Sequence, residues 1–294
     1  MSTNVLLVDG MALLFRSYYA TAVTGHWMRN SNGIATNGVQ GFLKHLFAAI
    51  AEIQPSHIAI CWDMGSKTFR DELFSDYKAN REAPPDELVP QFDMVKEVAT
   101  ALRFINIGVS GYEADDCIGT MTKQLSHRIS IVTGDQDLLQ LLANDVNVYL
   151  LQKGIGNYKK YTESQFVEEK GIHPSQWVEV KALMGDASDG YPGVKGIGEK
   201  TALKLIKTYG TVEKLLEQVH ELTPAQQKKI TEHKEMLRLS RTLAEIYCDV
   251  PLAINFAQMK WNFNLEVDIE TLHQFELRYV IRYLTNESRM QLLA

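Results

Sequence analysis

Cysteine is scarce in this sequence: Cys61, Cys117 and Cys248 are far apart and odd in number. With no CxxC and no Cys/His cluster, neither a disulfide framework nor a zinc site can be built, and a reducing cytosol is expected. No run of about 18 apolar residues occurs, so no membrane span is expected. The opening MSTNVLLVDG lacks a basic n-region and a small-residue cleavage site, and reads as a strand rather than a signal peptide. Internal repeats and low-complexity tracts are also missing. So is an excess of positive charge: 30 Lys and Arg stand against 36 Asp and Glu, a net charge of −6. That argues weakly against a nucleic-acid binder, but acids and bases are segregated along the chain. What remains is an ordinary globular composition, 45% apolar and 22% charged over 294 residues, enough for one large domain or two smaller ones.

VLLVDG (5–10), HIAICWD (57–63), FINIGV (104–109), ISIVTGD (129–135) and VNVYLL (146–151) have the apolar character of buried strands, and 158–162 adds another. Helical patterns lie at 11–22, 38–53, 91–102 and 113–125. This alternation predicts an α/β fold, a mostly parallel sheet flanked by helices. Residues 64–90 break the pattern; they are polar, carry both charge signs and contain Pro84 and Pro85, and are expected to form a mobile excursion with helical pieces. Beyond 163 the pattern is helical. The expected division is an α/β domain over 1–170, a helical region over 171–260 and a C-terminal extension over 261–294.

Three of the strands end at aspartates, Asp9, Asp63 and Asp135. Ligands of open α/β sheets bind beyond the carboxyl ends of the strands, so these three point at one crevice. In GYEADDCIG, Glu113 and Asp116 share a helix face at i, i+3, with Asp115 between them. Acids in a first helical turn favour the helix dipole, yet three in four residues repel one another, and a divalent cation relieves that. Asp137 follows Asp135 by two. Asp186 and Asp189 precede a glycine-rich turn in GDASDGYPGVKGIGEKTA. Nine carboxylates without histidine suit hard cations, Mg²⁺ or Mn²⁺. They are too many for one ion, and two ions about 4 Å apart suit in-line displacement at phosphorus.

The glycine turn is neither a P-loop, since Glu199 stands where lysine is needed, nor a dinucleotide fingerprint, since Thr201 occupies the third glycine position. An EF-hand is excluded by the spacing of its acids. A helix over 176–186, a tight turn over 190–198 and a second helix over 199–208 remain. Such a turn offers backbone N–H groups to a phosphate, and Lys200, Lys204 and Lys207 form a stripe beside Lys195.

Taken in order, LLVDG with Arg16, the WD at 62–63, KTFRDELFSDYKANR, SGYEADDCIGT, TGDQDLLQL and LMGDASDGYPGVKGIGEKTA resemble the 5′-nuclease family of flap endonucleases and 5′→3′ exonucleases, over roughly residues 4–245. The similarity is greatest to the N-terminal nuclease domain of bacterial DNA polymerase I, in a stand-alone form. The resemblance implies a PIN-like α/β domain, a helix–hairpin–helix region and a sequence-independent nuclease acting on a DNA flap, nick or 5′ end as a cytoplasmic monomer. It implies a first metal among Asp9, Asp63, Glu113, Asp115 and Asp116, and a second completed by Asp135, Asp137, Asp186 and Asp189. Residues 64–90 match the family's arch, with Lys78 and Arg81 on the scissile phosphate and Tyr77 stacking on a base. Arg16 and Arg70 match phosphate contacts. Gly193, Lys195, Gly196, Gly198, Lys200, Thr201 and Lys204 match the duplex grip, and the carbonyls of Leu183, Met184, Pro192, Val194 and Ile197 match a potassium site. Two departures stand out: Gly190 replaces an asparagine, which is expected to loosen the loop beside Asp189, and Trp62 replaces a more usual phenylalanine. Two other readings stay open, a catalytically inactive DNA-binding module and a PIN-type ribonuclease.

Overall fold

In the first strand successive side chains go to opposite sides. Val5 and Leu7 join one buried cluster and Leu6 and Val8 another, all four fully buried, as a period of two requires. The computed structural model describes residues 3–23, 25, 27–65 and 67–286. Its six strands are β1 (Asn4–Asp9), β2 (His57–Cys61), β3 (Ile105–Ile107), β4 (Arg128–Thr133), β5 (Val146–Leu151) and β6 (Tyr158–Tyr161). They form one sheet in the order β3-β2-β1-β4-β5-β6. All neighbours are parallel except β5 and β6. The chain leaves β1 towards β2 on one side and later enters β4 on the other. The β1/β4 boundary is therefore a topological switch point, where the loops part and leave a crevice.

The face carrying Leu6 and Val8 is covered by α1 (Gly10–Ala22), α2 (Asn37–Ile53) and α4 (Val89–Ala101). The other face is covered by α5 (Ala114–Gln124) and by the helical region that follows β6. That region comprises α6 (Glu163–Lys170), α7 (Trp177–Met184), α8 (Glu199–Tyr209), α9 (Val212–Glu217), α10 (Pro224–Glu232) and α11 (Lys234–Ala244). Trp177, Val180, Leu183, Leu205 and Ile206 lie in the same cluster as Val5 and Ile131, so α7 and α8 continue the core of the sheet. The last helices, α12 (Leu265–Gln274) and α13 (Arg278–Leu284), return to the opposite face. Trp261 donates to Leu102 O at 2.9 Å, Arg103 pairs with Asp268 at 2.7 Å, and Tyr279 N donates to Gln40 at 2.9 Å. Residues 287–294 of the expected extension lie outside the described residues.

The excursion at 64–90 is not loose. Among its described residues, the short helix α3 (Phe69–Leu73) opens with a capping box between Thr68 and Asp71. Arg70, Tyr77 and Leu88 are buried. Its longest exposed run among the described residues is Ala79 to Pro84. Polar composition misled here because the segment's anchors are themselves polar, with partners far off in the chain.

Candidate active site

The strand-end aspartates are fixed by local donors. Asp9 caps α1, taking Ala12 N at 3.0 Å on one oxygen and the Thr133 hydroxyl at 2.7 Å on the other. The same hydroxyl accepts from Asp135 N at 2.9 Å, tying the end of β4 to the end of β1. Asp63 accepts from Ala114 N at 2.7 Å, and Asp135 from Asp137 N at 2.8 Å. Asp9, Asp63, Glu113, Asp115, Asp135 and Asp186 line one cavity of about 1020 Å³ together with Arg16, Lys78, Arg81 and Lys181. It opens at the carboxyl edge of the sheet, where the switch point predicts it.

Bases reach this cavity from the 64–90 segment. Lys78 has a left-handed backbone, φ +53°, which few lysines adopt. Its N–H donates to Asp189 O at 2.8 Å and its ammonium meets Glu113 at 2.5 Å. Arg81 pairs with Asp189 at 2.7 Å. Gly190 is what lets this segment lie so close: its φ is +80°, and a Cβ there would stand 2.7 Å from Asp76 O. The expected loosening at Gly190 is therefore reversed, since the missing side chain tightens the contact.

Burial speaks against four of the expected roles. Asp116 is fully buried, its oxygens held by Arg70 at 2.8 Å each and by the N–H groups of Glu113 and Tyr247 at 3.0 and 2.9 Å. Both oxygens are fully engaged by these donors, which speaks against Asp116 as a metal ligand. Arg70, 2% exposed, also donates to Leu243 O and Glu245 O, which speaks against a phosphate contact. Tyr77, 4% exposed, directs its hydroxyl at Glu113 and Asp189 and offers no face to a base. Gly193, φ +59°, is buried and packs directly on Gly185, closing the turn from inside.

On the helical side, sequence reasoning missed Lys181. Its ammonium lies 2.7 Å from Asp137 and within hydrogen-bond reach of Asp186. The available signal was a lysine five residues before Asp186, on the helix that leads into it. Thr133, in the TGD motif, was missed as well.

Whether divalent ions fit can be tested on charge. Among the described residues no three acidic, histidine or cysteine side chains stand as a preformed ligand group. The carboxylates are nonetheless crowded. Burial, with Asp63 and Asp135 adding to it, pushes the Asp9 carboxyl up to about 7 against the pull of Ala12 and Thr133. Burial and the charges of Asp9 and Asp135 hold Asp115 well above the usual range. Burial and Asp135 raise Asp137 to about 7 despite Lys181. The Tyr191 hydroxyl, buried beside these acids, finds no hydrogen-bond partner among the described residues. An all-oxygen donor set under such strain fits a hard cation.

Past Asp189, Val194 N donates to Leu183 O at 2.9 Å and Ile197 N to Val194 O at 3.0 Å, closing the glycine turn before α8. Lys195, Gly196, Gly198, Lys200 and Lys204 are exposed on it and Thr201 is half-buried. Lys229 reaches Gly196 O at 3.5 Å and adds a base that the sequence pattern did not reveal. Met184 and Pro192 flank the turn, half-buried and exposed.

This sheet, with its carboxylate edge and helical annex, has the fold of the PIN-like 5′-nucleases. The bacteriophage T5 D15 protein, solved with metal ions, superposes with a TM-score of 0.67 at 18% identity, over 99% of this chain and 100% of that one. The T5 D15 flap endonuclease in a complex with DNA and metal ions gives 0.66 at 19% identity, over 99% of each chain. Residues 4–171 match the model of the 5′-3′ exonuclease N-terminal resolvase-like domain, and residues 172–265 that of the 5′-3′ exonuclease C-terminal SAM fold. The 5′-3′ exonuclease of Bacillus subtilis (strain 168) is 54% identical over 285 residues, 96% of each chain. DNA polymerase I of Lactococcus lactis subsp. cremoris is 39% identical over 85% of this chain, but this chain spans only 29% of that protein. The chain belongs to the 5′-3′ exonuclease family.

Proposed function

We propose that this nuclease cleaves DNA as a 5′→3′ exonuclease and structure-specific flap endonuclease, independent of base sequence, leaving a 5′-phosphate. The observation that carries the reading is the meeting, in one cavity at the switch point, of Asp9, Asp63, Glu113, Asp115, Asp135 and Asp186 with the bases Arg16, Lys78 and Arg81. A PIN-type ribonuclease without a duplex grip has no use for the exposed lysines of the glycine turn. A pure binder would gain from losing the acids.

Asp9, Asp63, Glu113 and Asp115 would hold a first divalent ion, and Asp135, Asp137, Asp186 and Asp189 a second. When bound, Mg²⁺ or Mn²⁺ activates a water molecule and neutralises charge building on the phosphate. Lys78 and Arg81, on the 64–90 segment, carry their charges to the scissile phosphate by exchanging Glu113 and Asp189 for its oxygens. Arg16, one turn and a half into α1, steadies the neighbouring phosphate from the cavity wall. Lys195, Gly196, Gly198, Lys200, Thr201 and Lys204 hold the duplex by its backbone, contacts that position the strand without reading it. The carbonyls of Leu183, Met184, Pro192, Val194 and Ile197 are the proposed potassium ligands that stiffen this turn. No helix among the described residues is long and apolar enough to cross a membrane; we place the protein in the cytoplasm, acting as a monomer.

The test is cleavage of 5′-end-labelled flap, nicked and blunt duplexes in Mg²⁺, in Mn²⁺ and in chelator. Cleavage at the flap base and at nicks, abolished by chelator, is expected. Cleavage that survives chelation, or is confined to RNA, overturns the reading. Lys200→Ala and Lys204→Ala should each weaken duplex binding and lower its salt slope by about 1.

A further inference from the structure

Lys181 stands on the last turn of α7 and is 6% exposed. Burying an ammonium is unfavourable unless it is closely paired. Here two acids pair it: Asp137 Oδ1 at 2.7 Å and Asp186 Oδ2. The contact with Asp137 is an ion pair not aligned as a hydrogen bond. The other oxygen of Asp186 is already taken by the N–H of Ser188 at 2.8 Å and its hydroxyl at 2.5 Å. Oδ2, which Lys181 holds, is thus the oxygen of Asp186 left for an ion. The unpartnered hydroxyl of Tyr191, 1% exposed, lies beside the same acids.

One oxygen pair cannot serve both an ammonium and a divalent cation. We propose that Lys181 is a resident counter-cation which a divalent ion must displace to occupy the Asp137–Asp186 side of the centre. Lys181 thereby sets the affinity of that side and keeps it below that of the Asp9–Asp115 side, where Lys78 holds Glu113 but Asp9 and Asp63 take their hydrogen bonds from neutral donors among the described residues. The inference rests on the divalent-ion reading given under Proposed function. Lys181 is a positioning residue, acting through two carboxylates. It also lines the large cavity, so its flexible stem has space to swing into when displaced.

The experiment uses the full chain, stripped with chelator and without DNA, titrated with Mn²⁺ while free ion is read by electron paramagnetic resonance. The wild type is expected to show a tighter and a weaker class of bound Mn²⁺. In Lys181→Met the weaker class should tighten by about tenfold or more, because a competing charge a few ångströms away has been removed. A weaker class that is unchanged or weakened in Lys181→Met means that the lysine is only a structural partner, and overturns the inference. A wild type that binds no Mn²⁺ at all overturns the divalent-ion reading instead, so the two failures are distinguishable. A second measurement on the unsubstituted protein covers the case in which Lys181→Met does not fold. Acetic anhydride labelling of Lys181, read by mass spectrometry, should be low in chelator and rise severalfold as the weaker class fills. Labelling that stays flat across that titration overturns the inference equally.

Discussion

On the sheet side of the centre, Asp9 and Asp63 take their hydrogen bonds from neutral donors, the N–H groups of Ala12 and Ala114 and the hydroxyl of Thr133, while Glu113 meets Lys78 and Arg70. On the helical side, Asp137 and Asp186 share Lys181, and Asp189 faces Arg81. Neutral donors orient a carboxylate but leave its charge uncompensated, so like charges raise one another's pKa. Cations compensate the charge and then compete with any ion that arrives. The contrast in titration is clear only at Asp186. Asp9 is pushed up to about 7, and burial with Asp135 raises Asp137 as far despite Lys181, whereas Asp186 is held below its ordinary value by hydrogen bonds from Lys181 and Ser188, against burial. A first divalent ion gains most on the sheet side, and a second has to displace something.

Asp116 belongs to neither side, and replacing it gives the largest expected effect. Asp116→Ala leaves Arg70 charged and buried without its partner, which costs about 3–5 kcal/mol. Urea unfolding should show that loss, and any loss of cleavage should follow the unfolded fraction. A folded, stable Asp116→Ala that fails to bind Mn²⁺ would return Asp116 to the metal site. Asp115→Asn should do the opposite. Removing one of the crowded charges raises the melting temperature of the metal-free protein, while cleavage falls on the order of a hundredfold, the several kcal/mol that an ion supplies to the reaction. If Asp115→Asn instead destabilised the metal-free protein, the sheet side would not be under charge strain.

The pair Asp115 and Asp116 also marks the limit of what the sequence discloses. The alternation of apolar strands and helices, the aspartates at the ends of β1, β2 and β4, and the glycine turn are all written in local spacing, and the structure has them within a few residues. Spacing placed Glu113 and Asp116 on one face of α5. It is Asp115 that joins Glu113 on the cavity wall, because Arg70, 46 residues earlier, captures Asp116. Tyr77 and Lys181 follow the same logic. Burial and pairing across long chain distances are tertiary facts, and no periodicity encodes them. The polar stretch at 64–90 looked unanchored for the same reason.

A third expected effect is a pH dependence of several degrees in melting temperature. Asp9 and Asp137 have folded-state pKa values raised to about 7, above their ordinary 3.8. Between those values the folded state binds more protons than the unfolded state, so stability falls as pH rises. The metal-free protein should therefore melt higher at pH 5 than at pH 8, by differential scanning calorimetry in chelator. Saturating Mg²⁺ should flatten the difference by binding the ionised folded form. A metal-free protein more stable at pH 8 would show that the carboxylates are compensated on both sides alike.

The smallest effect isolates the neutral donors themselves. Thr133 is fully buried, and its hydroxyl does two things: it donates to Asp9 and accepts from Asp135 N. Thr133→Val keeps the shape and removes both bonds. Losing them in a buried site destabilises by about 1–3 kcal/mol, and with Asp9 no longer oriented the tighter Mn²⁺ class should weaken by about tenfold. The weaker class should lose less, since Thr133 reaches that side only through Asp135 N and, among the described residues, makes no hydrogen bond to Asp137 or Asp186. Thr133→Ser retains the hydroxyl and should restore the tighter class. Equal weakening of both classes in Thr133→Val would mean that the two sides act as one site, and that neutral and charged compensation are not separable in this centre.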